Sequence, residues 1–285
     1  MAGLRSDRRF AWGLVSPALA VVALVALFPL GWNFWESLHR HDLRMPWLGR
    51  PFVGLANYGE LLADRRFWES MGHTALFTAA SVSLEMALGL AFALALDRSF
   101  RLRGAARAAA LIPWALPTVV AGLIWRFLFD PQAGIAGGGW LTGPATAWVP
   151  VVLADVWKST PFVALLLLAG LQGIDPALHE AAVVDGAGPW RRLWRITLPL
   201  LKPALLVALV FRTLDAFRVF DLLYVLTGGG PGTATEPVSL YAFDVYFSSL
   251  RFGYGAALSV AVFLATFLLA VLYVRGLRVD LKEEG

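Results

Sequence analysis

Long uncharged stretches of apolar residues alternate along the chain with short segments that carry most of the arginines. A membrane-spanning α-helix needs about 20 consecutive, mostly apolar residues, so stretches of this length predict spans. The pattern predicts six of them, at about 10–35, 71–96, 106–128, 148–173, 200–226 and 252–274. Together they form one domain over 10–275, flanked by terminal segments at 1–9 and 276–285. The predicted fold class is an all-α membrane protein with six transmembrane helices.

Lysines and arginines are concentrated in alternate connections between the predicted spans. If both termini are cytoplasmic, the inner segments carry more than twice as many of these residues as the outer segments. Short cytoplasmic loops of multi-pass proteins have this excess of positive charge. Arginines in the first outer loop reduce the contrast, although acidic residues accompany them. We therefore expect both termini, the N-terminal 1–9 and the C-terminal 276–285, in the cytoplasm.

The composition supports a membrane protein and argues against several classes of enzyme. Hydrophobic residues make up 58% of the chain and charged residues 15%, with a mean hydropathy of +0.66; soluble domains carry roughly 45–50% and about 25%. Cysteine is absent and the four histidines lack a metal-binding spacing, so we expect no thiol catalysis and no metal site. The segment around Lys158 lacks the glycines of a phosphate-binding loop. Basic segments separated by long apolar runs do not indicate nucleic-acid binding.

Charged residues lie inside the predicted fourth and fifth spans, where each costs roughly 2.5–3.5 kcal/mol unless it is paired or faces water. Asp155 and Lys158 are three residues apart in the fourth span. The fifth span carries alternating charges at three-residue steps, namely Arg212, Asp215, Arg218 and Asp221. Neighbours at this spacing on a helix can form ion pairs. These charges either line a hydrated path between the two spans or neutralise one another and hold helices together.

Two further residues stand out inside predicted spans. Glu85 precedes Asp97 by 12 residues, which places it ~18 Å inside the second span at about 1.5 Å per residue. Hydrogen bonding between helices and contact with a substrate are equally consistent with this position. Trp114 lies between two prolines of the third span, where freed backbone carbonyls are tolerated if they line a cavity.

The connection at 175–199 has the pattern of two short helices joined at a glycine. Asp175 can cap a helix that begins at Pro176, and Gly186 can end that helix in a left-handed conformation. After Gly188, tryptophans and arginines fall on different faces, which indicates an amphipathic helix at the membrane interface. The segment is either a simple connector or, because of its small residues, a surface that fits a groove on a partner.

The spacing of this connection resembles the EAA loop of binding-protein-dependent ABC importer permeases. The connection matches every defined position of that motif. It reads Glu180-Ala181-Ala182, then three residues, Gly186, nine residues and Ile196-x-Leu198-Pro199. Further segments resemble the carbohydrate subfamily of maltose/trehalose and glycerol-3-phosphate type permeases, at 111–117, 157–162, 168–172, 215–221 and 226–231. The resemblance covers nearly the whole chain and implies the type I ABC importer permease fold with a cytoplasmic EAA coupling loop.

The resemblance also implies a function and a set of partners. The chain would be a non-catalytic permease subunit of an ATP-driven sugar importer in the bacterial cytoplasmic (inner) membrane, working by alternating access. Its partners would be a second permease in a heterodimer, two copies of an ABC ATPase, an extracytoplasmic solute-binding protein and the lipid bilayer. ATP and Mg would be bound by the ATPase subunits, and this chain would bind no cofactor, metal or nucleic acid. The expected substrate is a disaccharide such as trehalose or maltose, or glycerol-3-phosphate.

Two sets of residues take roles from the resemblance. The surface that contacts the ATPase would consist of Glu180, Ala181, Ala182, Asp185, Gly186 and Ala187. The substrate path would be lined by Trp114, Thr118, Asp155, Lys158, Ser159, Phe162, Arg212, Asp215, Ala216 and Val219. Maltose-type importers have a mostly neutral lining, so the charges in this path leave a sugar phosphate open. A neutral disaccharide is favoured because Asp155 and Asp215 would balance the cations.

The alternative hypothesis is an autonomous membrane protein, either an ion-coupled secondary transporter or a membrane enzyme. Glu85, Asp155 and Asp215 would then bind coupling ions or protons. This hypothesis predicts transport or turnover by the purified chain without an ATPase. The sequence contains no nucleophile–base spacing that favours the enzyme.

Overall fold

The computed structural model describes residues 2–98 and 101–283, with the side chains of 12–98 and 101–275. Side chains of the predicted terminal segments 1–9 and 276–285 therefore lie outside the described residues. In chain order, the α-helices are α1 (Ala2–Val22), α2 (Phe28–Ser37), α3 (Ala56–Ala63), α4 (Arg65–Asp97), α5 (Arg103–Ala110), α6 (Ile112–Ala115), α7 (Thr118–Leu128), α8 (Trp148–Gln172), α9 (Pro176–Val184), α10 (Pro189–Arg192), α11 (Leu198–Phe217), α12 (Asp221–Leu226), α13 (Val238–Phe247) and α14 (Phe252–Glu283). π-Helical segments at Ala23–Leu27 and Leu193–Thr197 make α1–α2 and α10–α11 continuous, and Pro46–Leu48 forms a 3₁₀ turn.

Five described helical runs are long and apolar enough to cross a membrane. They are Trp12–Ser37, Arg65–Asp97, Trp148–Gln172, Pro189–Phe217 and Phe252–Arg275. A bent pair, Arg103–Ala115 with Thr118–Leu128, meets the same criterion when its two parts are taken together. With the bent pair counted as one span, the described residues hold six spans and no strand. The predicted all-α, six-span fold class is confirmed.

The third span is bent by 87° because of its prolines. Pro117 disfavours a helical backbone at the residue before it, and Leu116 has an extended ψ of 138°. Pro117 itself has a ψ of 137°, and the helix restarts at Thr118. The sequence predicts a kinked but continuous span at 106–128, whereas the structure divides this region among α5, α6 and α7.

The fifth span differs from the prediction at both ends. The helical run Pro189–Phe217 begins in the preceding connection, so the amphipathic segment after Gly188 is the start of the span and not a separate interfacial helix. The run ends at Phe217, and α12 follows as a separate helix, so the predicted span at 200–226 is interrupted. The apolar helix α13 lies in what the sequence predicts to be an outer connection.

The chain forms two compact units, and the first consists of Met1–Arg65 and Ala242–Leu264. Within this unit the Arg44 guanidinium pairs with Asp42 at 2.6 Å, and Arg251 pairs with Glu60 at 2.6 Å. The hydrogen bond from Arg44 lowers the pKa of Asp42 to about 2. Carboxylates thus neutralise two of the arginines in the predicted outer segments.

The second unit consists of Arg66–Tyr241 and Ala265–Gly285. One cluster of buried apolar side chains joins α4, α8, α11 and α12, and a second joins α4, α8 and α11. Gly89 of α4 lies so close to α8 that a Cβ atom there would be 2.5 Å from Cγ1 of Val163. Small residues allow this close approach between helices in membranes. The packing holds α8 and α11, two of the helices that line the candidate site, against α4.

Candidate functional site

Two adjoining cavities of 560 and 300 Å³ lie in the second unit among α6, α7, α8, α11 and α12. All ten residues that the sequence predicts for the substrate path lie in their walls, namely Trp114, Thr118, Asp155, Lys158, Ser159, Phe162, Arg212, Asp215, Ala216 and Val219. The two cavities share five lining residues, which are Thr118, Lys158, Ser159, Asp215 and Arg218. The structure therefore brings the predicted set to one place, and its role in carrying a substrate remains a prediction.

A network of ion pairs around Arg212 lies at the wall of these cavities. The guanidinium donates to both carboxylate oxygens of Glu85, at 2.5 and 2.8 Å, and to Asp155 at 3.1 Å. Its remaining nitrogen donates to Asp215 at 2.5 Å. Glu85 is fully buried and Arg212 is 3% exposed, whereas the Asp215 side chain is 66% exposed. One cation thus holds three carboxylates from α4, α8 and α11, which satisfies charges that would be costly unpaired.

Lys158 does not take the partner that its spacing from Asp155 suggests. Its Nζ atom donates to the backbone oxygens of Leu116 at 2.6 Å and Trp114 at 3.3 Å, while Asp155 accepts from Arg212. These two carbonyls lie at the end of α6, where Pro117 interrupts the helix. Such carbonyls need a donor at membrane depth. Lys158 therefore ties α8 to the break in the third span.

An aromatic pair forms one side of the larger cavity. The rings of Trp114 and Phe162 are stacked, with centroids 5.8 Å apart and an angle of 15° between their planes. Trp114 is 50% exposed, so one face of the pair is accessible. The hydroxyl-bearing residues Thr118 and Ser159 line the same cavity. The wall combines a flat apolar surface with hydrogen-bonding groups, as is typical of sites that bind small polar molecules.

Several cavity residues were not predicted as lining. Phe211 and Leu214 line the larger cavity, and Phe220 and Leu222 line the smaller one. Arg218 lines both cavities and Asp221 the smaller one, so these two charges of the ladder lie at the path although they are outside the ten predicted residues. Phe211 precedes Asp215 by four residues, so helical periodicity could have placed it on the same face.

The charge ladder of the fifth span is interrupted after Asp215. Arg218 lies beyond the end of α11 and donates its Nε to the backbone oxygen of Leu214 at 3.2 Å. Asp221 begins α12. The first pair of the ladder, Arg212 with Asp215, is formed as its spacing predicts, whereas the later steps are not on one helix.

The start of the predicted coupling loop has the expected cap. The Asp175 carboxylate accepts a hydrogen bond from the backbone of Ala177 at 2.9 Å. Proline follows at the first helical position, where its missing N–H costs nothing, and α9 extends over Pro176–Val184.

The end of α9 is fixed by Gly186, which has a φ of +76°. The Gly186 amide donates to the Val183 oxygen at 3.0 Å, and the Ala187 amide donates to the Ala182 oxygen at 2.8 Å. This pair of hydrogen bonds is a Schellman motif, in which a left-handed residue ends the helix and satisfies its last carbonyls. The predicted left-handed glycine is therefore present.

The six predicted coupling residues form a surface at the end of α9. Four are exposed, namely Glu180, Ala181, Asp185 and Gly186, while Ala182 and Ala187 are half-buried. Val184 beside them is 87% exposed. None of the six lines either cavity of the candidate path. Among the described residues, no group of three acidic or histidine side chains is placed to hold a metal ion.

Comparison with known proteins agrees with this architecture. Residues 86–277 match the sequence profile of a family described as binding-protein-dependent transport system inner membrane component. The chain is 44% identical over 279 residues to the trehalose/maltose transport system permease protein MalF of Thermococcus litoralis, covering 94% of each protein. It is 42% identical over 276 residues to the trehalose transport system permease protein SugA of Mycobacterium tuberculosis, covering 95% of this chain and 89% of that protein.

One solved structure supports the fold. It is a bacterial ABC transporter involved in the import of the acidic polysaccharide alginate, one chain of which superposes with a TM-score of 0.83. The match covers 96% of this chain and 98% of that chain, at 20% sequence identity. At this identity the likeness concerns the fold alone.

Proposed function

The chain belongs to the family of binding-protein-dependent transport system inner membrane components, and we propose that it forms half of the membrane path for a neutral sugar in an ATP-driven importer. It is a multi-pass membrane permease and not an enzyme. The predicted membership in this family is confirmed.

The observation that carries the sugar proposal is the composition of the larger cavity. Sugar rings present apolar C–H faces that lie flat on aromatic rings, and the stacked Trp114 and Phe162 offer such a surface. Hydroxyl groups need hydrogen-bond partners at the edge of that surface, which Ser159, Thr118 and the exposed Asp215 can supply. A cavity of 560 Å³ has the size of a small-molecule site.

The charges favour a neutral substrate over a sugar phosphate. Three carboxylates line the two cavities, and a fourth, Glu85, pairs with the lining residue Arg212. The lining carboxylates are Asp155, Asp215 and Asp221, and the lining cations are Lys158, Arg212 and Arg218. Arg212 is already bound by three carboxylates, and Lys158 is bound by two carbonyls. A phosphate would therefore meet more negative than free positive charge. Trehalose or maltose is the proposed substrate, in keeping with the names of the relatives, and glycerol-3-phosphate is the alternative that the experiment below tests.

The predicted coupling surface on α9 would transmit ATP hydrolysis to this path. Its exposed small residues suit a cleft on an ATPase subunit, in the manner of helix-in-groove recognition. Two such subunits would bind ATP and Mg and rock this chain against a second permease. A solute-binding protein would deliver the sugar on the outer side, and both termini would lie in the cytoplasm.

Purification and reconstitution test this proposal. A tagged chain isolated from native membranes should bring down a second permease and an ATPase, identified by mass spectrometry. The complex in proteoliposomes should hydrolyse ATP faster with binding protein loaded with trehalose or maltose than with glycerol-3-phosphate. Stimulation by glycerol-3-phosphate alone would overturn the neutral-sugar proposal, and transport by the chain without an ATPase would favour an autonomous transporter.

The aromatic surface has its own test. Replacing Trp114 by Leu should raise the sugar concentration for half-maximal uptake by about tenfold, or about 1.4 kcal/mol. Trp68→Leu is the matched control, since Trp68 is exposed on α4 and lines neither cavity. Equal effects of the two substitutions would remove the aromatic pair from the proposed site.

A further inference from the structure

A third cavity, of 310 Å³, lies apart from the candidate path, where the end of α4 meets α9 and the start of the fifth span. Basic or polar and apolar residues both line it, namely Leu94, Arg98, His179, Pro189, Trp190, Arg192, Leu193 and Thr197. We call this cavity the basic groove. It shares no lining residue with the two cavities of the candidate path.

The basic side chains of the groove are not neutralised by the protein. Among the described residues, neither Arg98 nor Arg192 forms an ion pair, and the Nε atom of Arg192 is buried without a hydrogen-bond partner. Four other arginines, namely Arg44, Arg66, Arg212 and Arg251, are each paired with a carboxylate. The groove therefore has the electrostatics of a site for an anion.

The position of the groove points to a lipid as the source of that anion. Arg98 directly follows α4, a membrane-spanning helix, so its charge lies at the membrane edge. Trp190 is 73% exposed beside it, and indole rings prefer the membrane–water interface. Leu94 and Leu193 give the same cavity an apolar wall. An anionic phospholipid suits such a wall, because its phosphate can pair with the arginines while the adjoining glycerol ester and acyl chains contact the leucines.

We propose that the basic groove binds the headgroup of an anionic phospholipid, with the phosphate between Arg98 and Arg192 and the ester region against Leu94 and Leu193. Basic pockets between membrane helices bind such headgroups. His179 lines the groove from α9, next to the predicted coupling residue Glu180. The lipid would thus bridge the end of the second span to the coupling loop.

Native mass spectrometry of the full purified complex tests this site, with phosphatidylglycerol as the probe and phosphatidylcholine as the neutral comparison. The double variant Arg98→Gln/Arg192→Gln should retain at least fivefold less phosphatidylglycerol than the unmodified complex. The matched control is Arg191→Gln/Arg195→Gln, which removes the same charge from exposed positions outside the groove. This control should retain phosphatidylglycerol like the unmodified complex. If the double variant does not assemble, single Arg98→Gln should still reduce retention at least twofold.

Four results would overturn the proposal, and none depends on which sugar is transported. Equal loss in the control pair would mean a general attraction of basic residues for anionic lipid. Equal retention of phosphatidylcholine would remove the role of the charge. Displacement of the lipid by an equal concentration of inorganic phosphate would make the groove a site for a free anion. Loss of the ATPase subunit from the double variant, with lipid retention unchanged, would make the arginines part of a protein contact.

Discussion

Arg212 and Glu85 form a bidentate ion pair, at 2.5 and 2.8 Å, although 127 positions separate them in the chain. The pair joins α11 to α4, and the bond from Arg212 to Asp155 adds α8. Glu85 is fully buried and lines neither cavity, so its contact is between helices. Asp215, on the same guanidinium, is exposed to the cavity. The network therefore combines the two readings of the intramembrane charges, with a structural inner part and an outer part that faces the candidate path.

Removal of Arg212 should destabilise the protein more than removal of any one of its partners. Arg212→Met leaves three carboxylates without their cation, and breaking a buried ion pair on one side costs about 3–5 kcal/mol. Asp215→Asn should cost less than about 1 kcal/mol, because the Asp215 side chain is 66% exposed. Thermal unfolding of the purified complexes measures both. An equal decrease in the unfolding temperature of the two variants would contradict the structural role assigned to Arg212.

Gly89 should not tolerate a side chain, whereas Gly72 on the same helix should. A Cβ at Gly89 would meet Cγ1 of Val163 at 2.5 Å, and overpacking costs about 1–3 kcal/mol. A Cβ at Gly72 meets nothing within 4 Å, so Gly72→Ala should be neutral or gain about 0.5–1 kcal/mol from helix propensity. Thermal midpoints compare the two alanine variants. Equal midpoints for Gly89→Ala and Gly72→Ala would argue against this contact.

Alanine substitutions at two glycines of the coupling loop test whether the left-handed turn is needed for coupling. Gly186 has a φ of +76° and Gly188 a φ of −66°, and neither would bring a Cβ within 4 Å of another atom. Within this chain, alanine at Gly186 therefore introduces backbone strain of about 1–2 kcal/mol and no clash, while alanine at Gly188 introduces neither. We expect Gly186→Ala to lower sugar uptake per ATP hydrolysed and Gly188→Ala to leave it unchanged. A similar loss in both variants would mean that the left-handed turn is not what matters.

Lys158 should act on uptake through the broken third span. Lys158→Met leaves the carbonyl oxygens of Trp114 and Leu116 without their donor, so the aromatic surface loses its support. We expect the sugar concentration for half-maximal uptake to rise by about tenfold, or about 1.4 kcal/mol. Lys158→Arg keeps a donor and should recover most of this loss. If the arginine variant is as impaired as the methionine variant while both complexes remain stable, Lys158 contacts the sugar itself.

The elements that the sequence predicts correctly are those that depend on near neighbours. Apolar runs of sufficient length identify the spans because the bilayer imposes the same requirement on each run separately. Asp175 and Gly186 could be assigned to the two ends of α9 because capping involves residues within one helical turn. The spacing of the EAA motif identifies the family, which the profile match at 86–277 confirms.

The contacts between distant parts of the chain were decided by the tertiary structure. Spacing alone pairs Asp155 with Lys158, yet packing brings Arg212 to Asp155 and the end of α6 to Lys158. Likewise Arg98 and Arg192 share a groove although nothing in their local sequence relates them. Helical periodicity relates residues three or four positions apart, whereas the partner of a charge on one span depends on which spans pack against it. The chain thus encodes its spans and its coupling turn locally, while the walls of the candidate path arise only when α6, α7, α8, α11 and α12 come together.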